Sequence, residues 1–109
     1  MNLRPEDLLA GSSTTFEVTI PPEVLQPISR SSSAIAEVVV ELRPLSIGTF
    51  GLIMKAAKDD SGLIPLLMIK ESLVKPAMSL EQVKQMHLGL VNFLIAHIRE
   101  ISGLTPKKN

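Results

Sequence analysis

The chain has 109 residues, about one domain, with 11 Lys plus Arg against 11 Asp plus Glu and a formal net charge of zero. That balance supplies no field for nucleic acid or an anionic membrane, and together with a positive mean hydropathy it favours self-association. The absence of Cys excludes disulfides and thiolate metal sites, and 3% aromatic residues with neither Trp nor Tyr require an aliphatic, Met-containing core.

The N-terminus, MNLRPEDLLAG, lacks the apolar centre of a signal peptide. Pro5-Glu6-Asp7 can open one helical turn ending near Gly11, and residues 1–13 are expected to form a flexible segment. The run Thr14 to Ile20 alternates, with Phe16, Val18 and Ile20 on one face and Thr15, Glu17 and Thr19 on the other, which predicts a half-buried strand. Pro21-Pro22 ends it. Residues 21–33 contain three prolines and a serine run, the composition of a loop. Ala34 to Leu42 is rich in β-branched residues and predicts a second strand, with Ala36, Val38, Val40 and Leu42 inward and Glu37 and Glu41 outward. The two strands form an antiparallel ribbon that needs helices, or a neighbouring subunit, to cover its apolar face.

Pro44 stops the second strand and Ser46 is a suitable N-cap for a helix over residues 47–58. Ile47, Phe50, Ile53, Met54 and Ala57 share its expected inner face, and Gly48 and Gly51 weaken it or permit close packing. Asp59-Asp60-Ser61-Gly62 reads as a turn. A further helix, with Pro65 in its first turn, runs to about Val74 and is apolar nearly all round as far as Lys70. Such a helix exceeds what one small core can bury, so part of it is expected to meet another chain. Pro76 separates it from the next segment. Ser79 and Gln82 have capping-box spacing and open a short helix to His87. From Leu88 to Ser102 runs the longest helical pattern, whose apolar arc spans roughly 220° around Leu88, Leu90, Val91, Phe93, Leu94, Ile95, Ile98 and Ile101. Gly103 and Pro106 end it.

These elements predict an α+β fold: an N-terminal two-stranded antiparallel β ribbon (residues 14–42) followed by a compact bundle of three to four α-helices (residues 46–103), one domain over residues 14–104, and a flexible tail at 105–109. No apolar run is long enough to span a bilayer.

Chemistry-bearing patterns are sparse. His97 and Glu100 at i, i+3 can form one edge of a metal site, but no third ligand is evident, and His87 lies on the other flank of the arc. Asp59-Asp60 lacks the ligand spacing of a calcium loop. Gly48-Thr49-Phe50-Gly51 is not followed by the Gly-Lys-Ser/Thr of a phosphate loop, and Ser31-Ser32-Ser33 has neither a base nor a nucleophile-elbow context. The last two helices would make a poor DNA reader, since the second carries Arg99 on an otherwise apolar surface. The expectation is a protein without catalytic residues, cofactor or metal that binds another protein through surplus apolar surface, with Leu63, Leu66, Leu67, Leu73 and Leu90 as candidate partner-binding anchors.

The run LRPLSIGTFGLIMKAAKDDSGLIPLL (residues 42–67), with Pro76, Ser79 to Val83 and the closing ISGL at residues 101–104, resembles the small tail assembly chaperones of long-tailed bacteriophages. In that family an extended β segment leads through an LRPL-type turn into compact amphipathic helices. The resemblance implies a non-enzymatic protein that binds the tape-measure protein in the host bacterial cytoplasm and delivers it for polymerisation of the tail tube, with the tube protein as a second partner. It also implies a longer form made by a −1 frameshift, for which Lys107-Lys108-Asn109, if encoded AAA-AAA-AAC, would supply the slippery site. The Pro/Ser-rich stretch 21–33 is outside the pattern. That leaves open a structural subunit of a phage tail or injection machine that assembles through its β ribbon, or an unrelated helical adaptor.

Overall fold

The structure is a computed structural model that describes residues 4–10, 14–25 and 38–104. Two short N-terminal elements come first, α1 (Pro5–Leu9) and β1 (Phe16–Ile20), followed by α2 (Pro22–Leu25) and β2 (Val38–Leu42). The remainder is α3 (Ile47–Ala56), α4 (Leu63–Ser72), β3 (Leu73–Lys75), α5 (Leu80–Val83) and α6 (Leu88–Ile101). The expectations for residues 34–37, the serine run and the Lys107-Lys108-Asn109 tail lie outside the described residues.

The alternation in Phe16 to Ile20 is present, with Val18 and Ile20 buried, although Phe16 at the strand's start is exposed. β1 pairs antiparallel with β2, Phe16 opposite Leu42 and Ile20 opposite Val38, and Val18, Ile20, Val40 and Leu42 are buried on the helix-facing side. The outer face carries Glu17 opposite Glu41 and Thr19 opposite Val39.

The expected two-stranded ribbon followed by a helical bundle is corrected. The sheet has three antiparallel strands in the order β1-β2-β3, and the described chain holds six helices, several of them a single turn. The third strand comes from the stretch expected to complete a helix to Val74. That helix stops at Ser72 for a tertiary reason. The Ser72 hydroxyl donates to the Arg43 carbonyl, the Arg43 backbone N–H donates to the Ser72 carbonyl at 2.8 Å, and the Arg43 Nε donates to the Glu71 carbonyl at 2.9 Å. The end of β2 thereby captures the last turn of α4. Leu73 becomes extended and pairs with Leu42, with a register irregularity between Glu41 and Leu42. Pro76 disfavours helical backbone at Lys75 and closes the strand. A second difference is α2, one helical turn inside the stretch read as loop, with Pro22 and Glu23 in its first turn.

The core lies between the inner face of the sheet and the layer of α4 and α6. Leu42, Ile69, Val83, Leu94 and Ile98 are its most completely buried apolar side chains. α4 is the hub, packed against α3, α5, α6 and β3. This accounts for part of its apolar circumference: Met68 and Ile69 are buried, and Ile64, Leu66 and Leu67 are half-buried against the core.

Helix ends follow local chemistry. Ser79 accepts from the Gln82 backbone N–H at 3.2 Å while the Gln82 side chain accepts from the Ser79 N–H at 3.0 Å, a reciprocal box. Ser46 caps α3 by accepting from the Thr49 N–H at 3.2 Å. α6 is capped by His87, whose Nδ1 accepts from the Leu90 N–H at 3.2 Å while its Nε2 donates to the Leu25 carbonyl at 3.0 Å. The pair of contacts requires the Nε2–H tautomer and ties α2 to the start of α6. At the other end the Leu104 N–H donates to the Arg99 carbonyl at 2.8 Å and the Gly103 N–H to that of Glu100 at 3.2 Å, with Gly103 at φ +76. The Ser102 hydroxyl accepts from the Leu45 N–H at 2.8 Å, so the end of α6 also anchors the approach to α3.

Two glycines are expected to respond with opposite signs to the same substitution. A Cβ on Gly51, mid-helix in α3, meets nothing within 4 Å, so Gly51→Ala should stabilise the domain by up to about 1 kcal/mol. Gly103 sits in left-handed backbone, and Gly103→Ala should destabilise by about 1 kcal/mol although its Cβ also has open space. Urea titration of the two variants separates the cases; a shift of the same sign in both would contradict the backbone account.

Candidate functional site

α3 is the least enclosed of the longer helices. Its sequence, IGTFGLIMKA, has one charge, Lys55. At about 100° per residue, Ile53 and Ala57 point the same way and are buried, and Phe50 at their edge is half-buried. The expectation that Ile47 and Met54 also face inward is overturned: Ile47 is 89% and Met54 45% exposed, on one flank with Gly51. Leu52, on the other flank with Ala56, is 67% exposed. α3 therefore shows water apolar side chains on both sides of the line by which it is held.

A shallow groove follows each flank. One, of about 170 Å³, lies between the start of α3 and the end of α6 and is lined by Leu45, Ile47, Phe50 and Leu104 with the Ser46 and Ser102 side chains. The other, of about 190 Å³, lies between α3 and α4 and is lined by Thr49, Leu52, Ile53, Ala56, Leu67 and Glu71. A third opening, of about 200 Å³, is separate from α3. It runs between the sheet and the helices, floored by Val40, Leu73 and Leu94 and walled by Leu25, Met78, Met86 and Leu90, all of them apolar.

The five sequence-nominated anchors are not brought together. Leu73 is 6% exposed in the core, at the floor of the third opening, and Leu90 is half-buried at its wall. Leu67 is half-buried and faces the α3–α4 groove, Leu66 packs against the core, and Leu63 is half-buried at the start of α4. The side chains that do stand exposed, Ile47, Leu52 and Met54, were assigned inward or left unassigned by the sequence pattern. The signal that could have found them is the absence of any charge before Lys55 in a helix apolar on all sides. Leu88, 80% exposed at the start of α6, is a further isolated apolar residue.

The charged groups lie elsewhere. Lys75 is 4.0 Å from Glu41 on the outer face of the sheet, Lys70 3.5 Å from Glu71, and Lys84 3.6 Å from Glu81. Exposed pairs of this kind contribute little. Only Glu71 of these borders a flank of α3, in the groove shared with α4, while the groove beside Ile47 has no charged lining residue, so covering that flank would not require an ion pair to be stripped of water. His97 rests against Phe93, ring centroids 4.6 Å apart, rather than beside a ligand set. Among the described residues there is no group of three or more His, Cys, Asp or Glu placed to hold a metal, and no helix long and apolar enough to cross a membrane.

No protein-family model matches the chain, and no curated protein and no solved structure matches it.

Proposed function

We propose that this chain is a non-catalytic protein-binding module, a tail assembly chaperone that holds the tape-measure protein of a long-tailed bacteriophage in the host cytoplasm during tail assembly. The observation that carries the reading is α3, whose Ile47, Leu52 and Met54 stand in water on two flanks of a helix with a single charge. The resemblance in residues 42–67 supports it, because α3 lies inside that run. Scattered exposed apolar residues need no explanation, but several on one helix with a groove on either side mark a surface suited to a partner.

The partner's chemistry follows from the surface. A helix-in-groove contact requires apolar side chains at i, i+3, i+4 and i+7 and no buried charge, which a long helical tape-measure protein can present repeatedly along its length. The tail-tube protein is the second partner in this reading. Neither catalysis nor a cofactor is part of the proposal.

A structural tail or injection-machine subunit is the second reading, favoured by one feature: among the described residues β1 has a strand partner on one side only. Coexpression with a phage tape-measure protein distinguishes the two. The chaperone reading expects a soluble complex that survives size-exclusion chromatography. A tape-measure protein that stays unbound, with the purified chain forming tubes or rings under the electron microscope, would replace it with the structural reading.

A further inference from the structure

We infer that β1 is a dimerisation strand, pairing antiparallel with β1 of a second copy of this chain about a two-fold axis at Val18. The inference is independent of the tape-measure reading and starts from the two edges of the sheet. The β3 edge is protected in the ways that edges usually are: it is three residues long, carries Lys75, ends at Pro76 and adjoins a register irregularity. The β1 edge is less protected: although Pro21 follows it, it is longer than β3 and pairs with β2 without a register irregularity. It is five regular residues, FEVTI, with one charge and no proline within it. Among the described residues nothing pairs with its outer side.

The sequence of β1 selects both the occupant and the register. In an antiparallel pair, opposed residues share a face, so only registers that oppose residues of like parity keep the apolar face of one copy continuous with that of the other. An axis at Glu17 would set the two Glu17 carboxylates directly opposite, which is unfavourable. An axis at Thr19 would run Glu17 into Pro21 of the second copy and shorten the ladder. An axis at Val18 keeps all five residues paired. Phe16 then lies opposite Ile20 of the second copy, Val18 opposite Val18, and Glu17 opposite Thr19, whose hydroxyl can donate to the carboxylate.

This register also places Phe16, 38% exposed at the open end of the inner face, beside the Ile20 of the second copy, which closes the apolar face on that side. The result is a six-stranded antiparallel sheet with both helical layers on one face. A two-fold contact is isologous and closes on itself, so it ends at the dimer rather than propagating into a filament. The zero net charge of the chain offers no long-range repulsion to the encounter.

The test uses the sign of a charge at position 19, which is exposed and occurs twice in the interface. Thr19→Lys opposes Glu17 with a cation at both symmetric contacts, and sedimentation of the full chain should show the dimer Kd falling roughly fivefold; Thr19→Glu should raise it by at least as much. Glu17→Cys mixed with Thr19→Cys, in a chain with no native Cys, gives an independent reading. The mixed pair is directly opposed and should cross-link on mild oxidation faster than either variant with itself, whose residues are diagonal. A chain that stays monomeric at all concentrations, shifts of the same sign for Lys and Glu, or no preference for the mixed cross-link would overturn the inference.

Discussion

Leu42→Ala is expected to be among the most destabilising single truncations in the chain, costing about 3–5 kcal/mol. Leu42 is fully buried where all three strands converge, opposite Phe16 in β1 and Leu73 in β3, beneath the α4–α6 layer. Its backbone is fixed by ladders on both sides, so the site cannot collapse to fill the void, and the cavity penalty adds to the lost transfer energy. A domain of this size has about 5–15 kcal/mol of stability in all, so the variant should be partly unfolded near 37 °C. Urea unfolding followed by circular dichroism should show a large fall in midpoint with little change in slope. Ile47→Ala, at a position 89% exposed, should stay within about 0.5 kcal/mol of the parent. A loss below about 1 kcal/mol at Leu42 would mean that the junction of the three strands is not rigidly packed.

Ile47→Asp combined with Met54→Asp is expected to separate binding from stability. Both side chains are outside the core, so the thermal midpoint should scarcely move, whereas tape-measure binding should weaken by about thirtyfold or more, the effect of losing ~2 kcal/mol at a central anchor. Leu73→Asp should behave in the opposite way. Leu73 is 6% exposed, and a carboxylate there has no partner, so the variant should unfold and lose binding only as a consequence. Leu52→Asp tests the second flank of α3 separately. If the Ile47/Met54 double variant binds the tape-measure protein as well as the parent, α3 is not the docking surface.

The legible parts of this fold are those fixed by residues close in sequence. The alternation of Phe16, Val18 and Ile20, the Ser79–Gln82 box and the glycine stop at Gly103 each depend on a few neighbours, and each is present in the structure. β3 was not legible because its cause is non-local. Leu73 and Val74 continue an apolar helical run, and only the bonds between Arg43 and Ser72, 29 residues apart in sequence, end the helix before them. The inward face of α3 was misread for a related reason. When a helix is apolar all round, periodicity cannot say which side meets the core. The choice between Ile47 and Ile53 is made by where α4 lies.

The same ambiguity explains the candidate anchors. Leu63, Leu66 and Leu67 lie on α4, Leu73 on β3 and Leu90 on α6, so no single exposed face collects them. α4 packs against α3, α5, α6 and β3, which leaves its leucines half-buried, whereas Ile47, Leu52 and Met54 of α3 stand exposed. Which apolar helix shows side chains to water depends on packing, which periodicity does not encode.

Amide hydrogen exchange across α3, with and without a helical tape-measure segment, shows whether this helix is the docking surface. In the free chain the exposed flanks and the two glycines of α3 should allow it to open more readily than α4 or α6. The bound segment should slow exchange over residues 47–56 while leaving β1 unchanged. Protection confined to β1 or to the opening between Leu73 and Leu90, with residues 47–56 exchanging as in the free chain, would contradict it.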